Sequence, residues 1–132
     1  MTLEQWLPLA QLPGVEWVSI QKGPGSEQLE RQGALPLVAG QGRVSTSLDF
    51  RDTAAVLAHC DLLISADSGV VHLAGAMGVP TWVALRWIPE WRWLLTGDRS
   101  PWYTSVRLFR QTNDGDWGNV VQRIAAELRQ LS

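Results

Sequence analysis

An α/β fold, built as a parallel sheet with helices on both faces, is what three features of this chain predict. Short apolar, β-branched runs recur along it: VEWVSIQ (15–21), LPLVA (35–39), DLLISA (61–66), PTWVAL (80–85) and VRLF (106–109). Stretches with helical caps or helical periodicity separate them. Strict alternation of strand and helix implies parallel pairing with crossover connections, the Rossmann-like arrangement. A length of 132 residues allows one domain with a real hydrophobic core, and no internal repeat or second domain is visible.

Each element has a local reason. Thr2 caps a short helix over LEQWLPLAQ, which Pro8 limits to its first turns. Pro13-Gly14 turns the chain into the first strand. The loop Lys22-Gly23-Pro24-Gly25 leads to Ser26, a cap for EQLERQ. After the strand 35–39 comes a Gly-rich loop through Gly42, and Asp52 caps TAAVLAHC. The strand DLLISA ends at Asp67-Ser68-Gly69, where VVHLAGAMG starts a small-residue helix before the strand 80–85. From Arg86 to Tyr103 the pattern is irregular and aromatic, with a short helix expected over 89–95. Asp116 caps a closing helix whose Val120, Val121, Ile124, Leu128 and Leu131 form one stripe.

Composition narrows the function. A formal charge of −2 opposes a large nucleic-acid footprint. No apolar run reaches membrane-spanning length and no signal-peptide pattern opens the chain. Cys60 is the single cysteine, which rules out an internal disulfide and a cysteine metal cluster and fits a reducing cytoplasm. Tryptophan is over-used: eight Trp stand against one Tyr and two Phe. Many of these lie between 87 and 102 with Arg86, Arg92 and Arg99, where they form either a stacking platform for a base or sugar or simply a packed short helix.

The segment 61–80 carries the most chemistry. A strand that ends in a polar turn and runs into a helix presents unpaired helix-start N–H groups at the carboxyl edge of the sheet. That is where open α/β sheets bind phosphates and other anions. Ser68, Gly69 and His72 share one helix face. His72 can donate to a leaving group that gains charge, or it can be a structural histidine; Asp67 can contact a sugar hydroxyl or amides, or simply cap the helix. His59 reads as structural. Neither Gly23-Pro24-Gly25 nor Gly40-Gln41-Gly42 completes a dinucleotide fingerprint, because Gln28 and Ser45 stand where it needs glycine or alanine. Asp114-Gly115-Asp116 reads as a turn and cap, and no metal site is expected.

These residues resemble the carboxyl-terminal, nucleotide-sugar-binding domain of family 9 glycosyltransferases, the heptosyltransferase group. Asp67-Ser68, His72-Leu73, Ala76 and Pro80 match the family element in type and spacing. SIQKGPGSEQL (19–29), DFRDTAAVLAHCDLLIS (49–65) and PEWRWLL, SPWY, RLFRQ and GDW within 89–117 are similar to the branch linked to tetratricopeptide repeats. The resemblance implies one half of a two-domain GT-B fold binding a nucleoside diphosphate sugar, ADP-heptose-like or UDP-linked, without a metal cofactor. It assigns Asp67 and His72 as catalytic and places Ser68, Gly69 and Val70 at the diphosphate. Lys22 is a further phosphate candidate, Glu27 falls at the ribose, and Leu48, Asp49 and Phe50 fall beside the base. The acceptor domain with its general base, and the first strand of the domain, have no counterpart among these residues. An acceptor domain or tetratricopeptide-repeat protein is therefore an expected partner, and an exposed sheet edge favours self-association. The alternative is a non-catalytic ligand-binding or interaction module that kept the fold.

Overall fold

Three parallel strands, β1 (Leu63–Ala66), β2 (Thr81–Leu85) and β3 (Val106–Arg110), form the sheet in the order β1-β2-β3. They belong to a computed structural model that describes residues 1–32, 35–46 and 49–131, with backbone alone at 31 and 32. Six helices accompany them among the described residues: α1 (Leu3–Ala10), α2 (Gln28–Gln32), α3 (Gln41–Ser45), α4 (Phe50–Leu57), α5 (Gly69–Met77) and α6 (Trp117–Leu131). The α/β parallel-sheet expectation holds.

Strand alternation divides the core between the two sheet faces. Trp82, Ala84 and Phe109 turn to one face and pack with Leu9, Leu12 and the α6 stripe of Val120, Val121, Ile124, Ala125 and Leu128. Val83, Leu85, Val106 and Leu108 turn to the other and pack with Val71 of α5 and with Trp93. Leu57 and Leu63 continue that layer with Ala74 and Val79. β2 is buried throughout, and each Val or Leu so placed stabilises the fold by about 1.5–3 kcal/mol. No helix among the described residues is long and apolar enough to cross a membrane.

Several local expectations are corrected. The runs 15–21 and 35–39 form no strands; one parallel bridge joins Trp17 to Leu37, because two short segments without a further sheet neighbour do not sustain a ladder. Helix α1 continues through Pro8 to Ala10, since burial of Leu9 and Leu12 outweighs one lost hydrogen bond. Ser26 does not cap α2; its hydroxyl donates back to Gly23 O at 2.8 Å. Asp49 rather than Asp52 caps α4, accepting from the Asp52 N–H at 3.1 Å. The expected helix 89–95 is a single 3-10 turn at Trp91–Trp93. Asp116 does cap α6, accepting from the Asn119 N–H at 3.0 Å. Leu131, at the end of its stripe, is exposed.

Candidate functional site

The turn after β1 and the start of α5 open onto a cleft of about 550 Å3, lined by Asp67, Ser68, Gly69, His72, Arg86, Glu90 and Arg92. Its walls sit at the carboxyl ends of adjacent parallel strands: Asp67 follows β1 and Arg86 follows β2. Ser68 occupies the N-cap position, but its side chain caps nothing, and its hydroxyl lies 3.2 Å from that of Ser65. Asp67 is therefore not the helix cap. The Val71 N–H donates to Ser68 O at 3.1 Å, while the N–H groups of Gly69 and Val70 have no acceptor among the described residues. Two polarised donors thus remain at the positive end of α5. The Val70 side chain turns inward onto the Leu57–Leu63 layer, and Val70 is not among the residues that line the cleft.

His72 is held from two sides. Its Nδ1 lies 3.0 Å from the Tyr103 hydroxyl, and its ring stacks on the fully buried Trp93 at 5.3 Å and 19°. Where Tyr103 donates to Nδ1, the neutral imidazole carries its proton on Nε2, as a donor. Tyr103 reaches this position because Gly75 has no side chain: a Cβ there would lie 2.5 Å from Tyr103 Cγ.

Arg86 and Arg92, which the sequence offers only as part of the aromatic segment's base or sugar platform, supply the cleft's cationic side chains beside Asp67 and Glu90. Arg86 is exposed and makes no ion pair or side-chain hydrogen bond among the described residues. Arg92 pairs with Glu90 and lies over the Trp91 ring at 5.3 Å. The loop that carries them is anchored by side chains from β3 and just beyond it. The Trp87 N–H donates to Gln111 Oε1 at 2.8 Å. The Arg110 guanidinium donates to the carbonyls of Trp93, Leu94, Thr96 and Gly97, and burial lowers its pKa. Leu94, at φ 59° and ψ −174°, is a positive-φ non-glycine residue, a conformation that costs about 1–3 kcal/mol and that Arg110 helps to hold.

The remaining sequence-predicted residues are placed differently. Phe50 is 60% exposed, and its Cζ lies 3.5 Å from the Cβ position of Gly69, which puts the ring beside the helix start. Asp49 is the α4 cap. Glu27 accepts from the Gly25 N–H at 2.8 Å, and the Lys22 ammonium donates to Val44 O; neither lines the cleft. Leu48 lies outside the described residues. The exposed rings of Trp91 and Trp102 meet edge to face at 6.3 Å beside the cleft. No group of three side chains suited to hold a metal ion occurs among the described residues.

The fold and the site together define an α/β domain with a polar cleft at the carboxyl edge of a parallel sheet. Residues 24–85, which include the cleft's helix start, match the model for glycosyltransferase family 9 (heptosyltransferase). Protein FlbA of Caulobacter vibrioides is 32% identical over 130 residues, covering 96% of this chain and 21% of its own length. The chain thus spans about a fifth of that relative. Neither match distinguishes the tetratricopeptide-linked branch. No solved structure matches the chain.

Proposed function

We propose that the cleft binds a nucleoside diphosphate sugar, ADP-heptose-like or UDP-linked, as the donor of a glycosyl transfer. One observation carries the reading: Gly69, whose helix-start N–H is unpaired, lines the same cleft as Arg86, which makes no ion pair among the described residues, and the unpaired N–H of Val70 follows it in the chain. Such donors favour a diphosphate, and cations at its oxygens stabilise the charge that develops as it leaves. Phe50 offers its exposed ring to the base, and Asp67 its carboxylate to hydroxyls of the ribose or sugar. In the transfer, an acceptor oxygen forms a bond to the anomeric carbon while the bond from that carbon to the diphosphate oxygen breaks. The acceptor proton passes to a base on an acceptor domain, and His72 Nε2–H donates to the departing diphosphate.

A second reading, a binding module without turnover, is favoured by the commitment of His72 to Tyr103 and Trp93, which gives that histidine a structural role of its own. Calorimetric titration of ADP, UDP, adenosine and uridine separates the site from chance. A diphosphate that binds at least tenfold more tightly than its nucleoside supports the reading, since roughly 1.4 kcal/mol is the smallest gain expected of a phosphate held by charged donors. Equal or absent binding contradicts it. Turnover of a donor sugar, assayed once an acceptor domain is supplied, divides the enzyme from the module.

A further inference from the structure

We infer that the free edge of β1 and residues 17–20 form the two sides of a slot for one extended strand of a partner polypeptide. The inference is independent of what the cleft binds. In a parallel ladder, alternate residues direct both peptide groups to the same neighbour. The Leu63 N–H donates to Pro80 O at 2.9 Å, with Leu63 opposite Thr81. Leu63 and Ser65 therefore face β2, and Ile64 and Ala66 turn their peptide groups away from the sheet.

Residues 17–20 show the same alternation. Trp17 O accepts from the Val38 N–H at 2.9 Å. The Ser19 N–H and C=O are both taken by the Gln41 side chain, at 2.8 and 2.7 Å. Val18 and Ile20 therefore turn theirs to the opposite side. Among the described residues, neither the N–H nor the C=O of Val18, Ile20 or Ile64 has a partner. Partly buried peptide groups left open on two segments that pack on the same apolar layers are unusual, because folded chains pair nearly all buried ones.

Both sides of the slot share the same apolar layers. Val15 and Trp17 pack on one layer with Leu62 and Ile64; Ile20 packs on the other with Leu57 and Leu63. Trp17 Nε1 is buried there without a partner. The far edge of the sheet is closed instead, since residues 98–100 lie antiparallel to β3: the Leu108 N–H donates to Asp98 O at 2.8 Å, and Arg99 bridges to Arg107.

The occupant is consequently a strand apolar on both faces, the continuous β-branched type found inside parallel sheets. A second copy of this chain fits poorly. Of its fully formed strands, β2 is paired on both sides and β3 is closed by residues 98–100. FlbA carries polypeptide well beyond the fifth that this chain spans, which fits a strand supplied from outside residues 1–132.

Residue-resolved amide hydrogen exchange tests this, with the capped peptide Lys-Val-Val-Ile-Val-Val-Lys as probe and its alternately N-methylated form as control. The expected result is fast exchange at Val18, Ile20, Ile64 and Ala66 in the chain alone. The probe then slows it about tenfold or more and the methylated control does not. No slowing in a folded chain, or slow exchange without any probe, overturns the inference. So does slowing that tracks dimer formation in sedimentation, which would give the slot to a second copy.

Discussion

His72 Nδ1 and the Tyr103 hydroxyl stand 3.0 Å apart, linking the second turn of α5 to the loop before β3. The link exists because Gly75, one turn further along α5, leaves room for the Tyr103 ring. Trp93 closes the opposite face of the imidazole. The histidine that faces the cleft is thereby fixed by groups that never enter it.

Gly75→Ala is predicted to destabilise the fold despite the better helix propensity of alanine. That propensity gain is at most about 1 kcal/mol, whereas a methyl 2.5 Å from a packed ring overpacks at a cost of about 1–3 kcal/mol and displaces Tyr103. Thermal unfolding checks this; an unchanged or raised midpoint would contradict it.

Arg86→Ala is predicted to weaken ADP and UDP binding about tenfold or more, because a charge-assisted contact to phosphate is worth roughly 1.5–3 kcal/mol. Lys22→Ala should change either affinity by no more than about twofold, the effect of a residue outside the cleft. Calorimetry on the two variants decides the order, and a larger loss at Lys22 would put the phosphate elsewhere.

Arg110→Met is predicted to loosen the loop that carries Arg92. It removes the donors to four carbonyls, one of them on the positive-φ Leu94. A loss of about 2–4 kcal/mol and new protease cleavage within residues 94–97 are the expected outcomes. Wild-type resistance and midpoint in the variant would show that the clamp is dispensable.

Acid sensitivity is expected at Glu127. Its hydrogen bond to the Arg107 guanidinium holds its carboxyl below the ordinary 4.5. A lowered folded pKa means that the contribution is present above the unfolded value and fades as pH falls through the folded one. Glu127→Gln should therefore lower the urea midpoint at pH 7 and narrow the gap to wild type at pH 3. A gap that widens in acid would reverse the sign.

The helix start at Asp67–His72 was legible in the sequence because a strand, a polar turn and a small-residue helix follow one another without a break. Gly69 and His72 line the cleft that opens there. Arg86 and Arg92 were visible as members of the aromatic segment, with a base or sugar platform as one reading, but not as part of the helix-start cleft. Their loop has no periodicity, and its course is set by distant anchors, Gln111 and Arg110, that no local pattern announces. The runs 15–21 and 35–39 have the composition of strands, yet composition cannot report that a pairing neighbour is lacking. Lys22 and Glu27 were placed at the ligand through resemblance, and each instead closes a local turn or loop contact. Asp49 and Asp52 are equally plausible caps by residue type, and the backbone path chose Asp49.

Amide resonances of Gly69 and Val70, followed as ADP is titrated into the folded chain, test the central claim most directly. Shifts are expected at both that saturate with ADP, are weak with adenosine, and need much higher ADP in Arg86→Ala. Saturable binding that leaves both resonances unmoved, or no binding of any diphosphate, would contradict it.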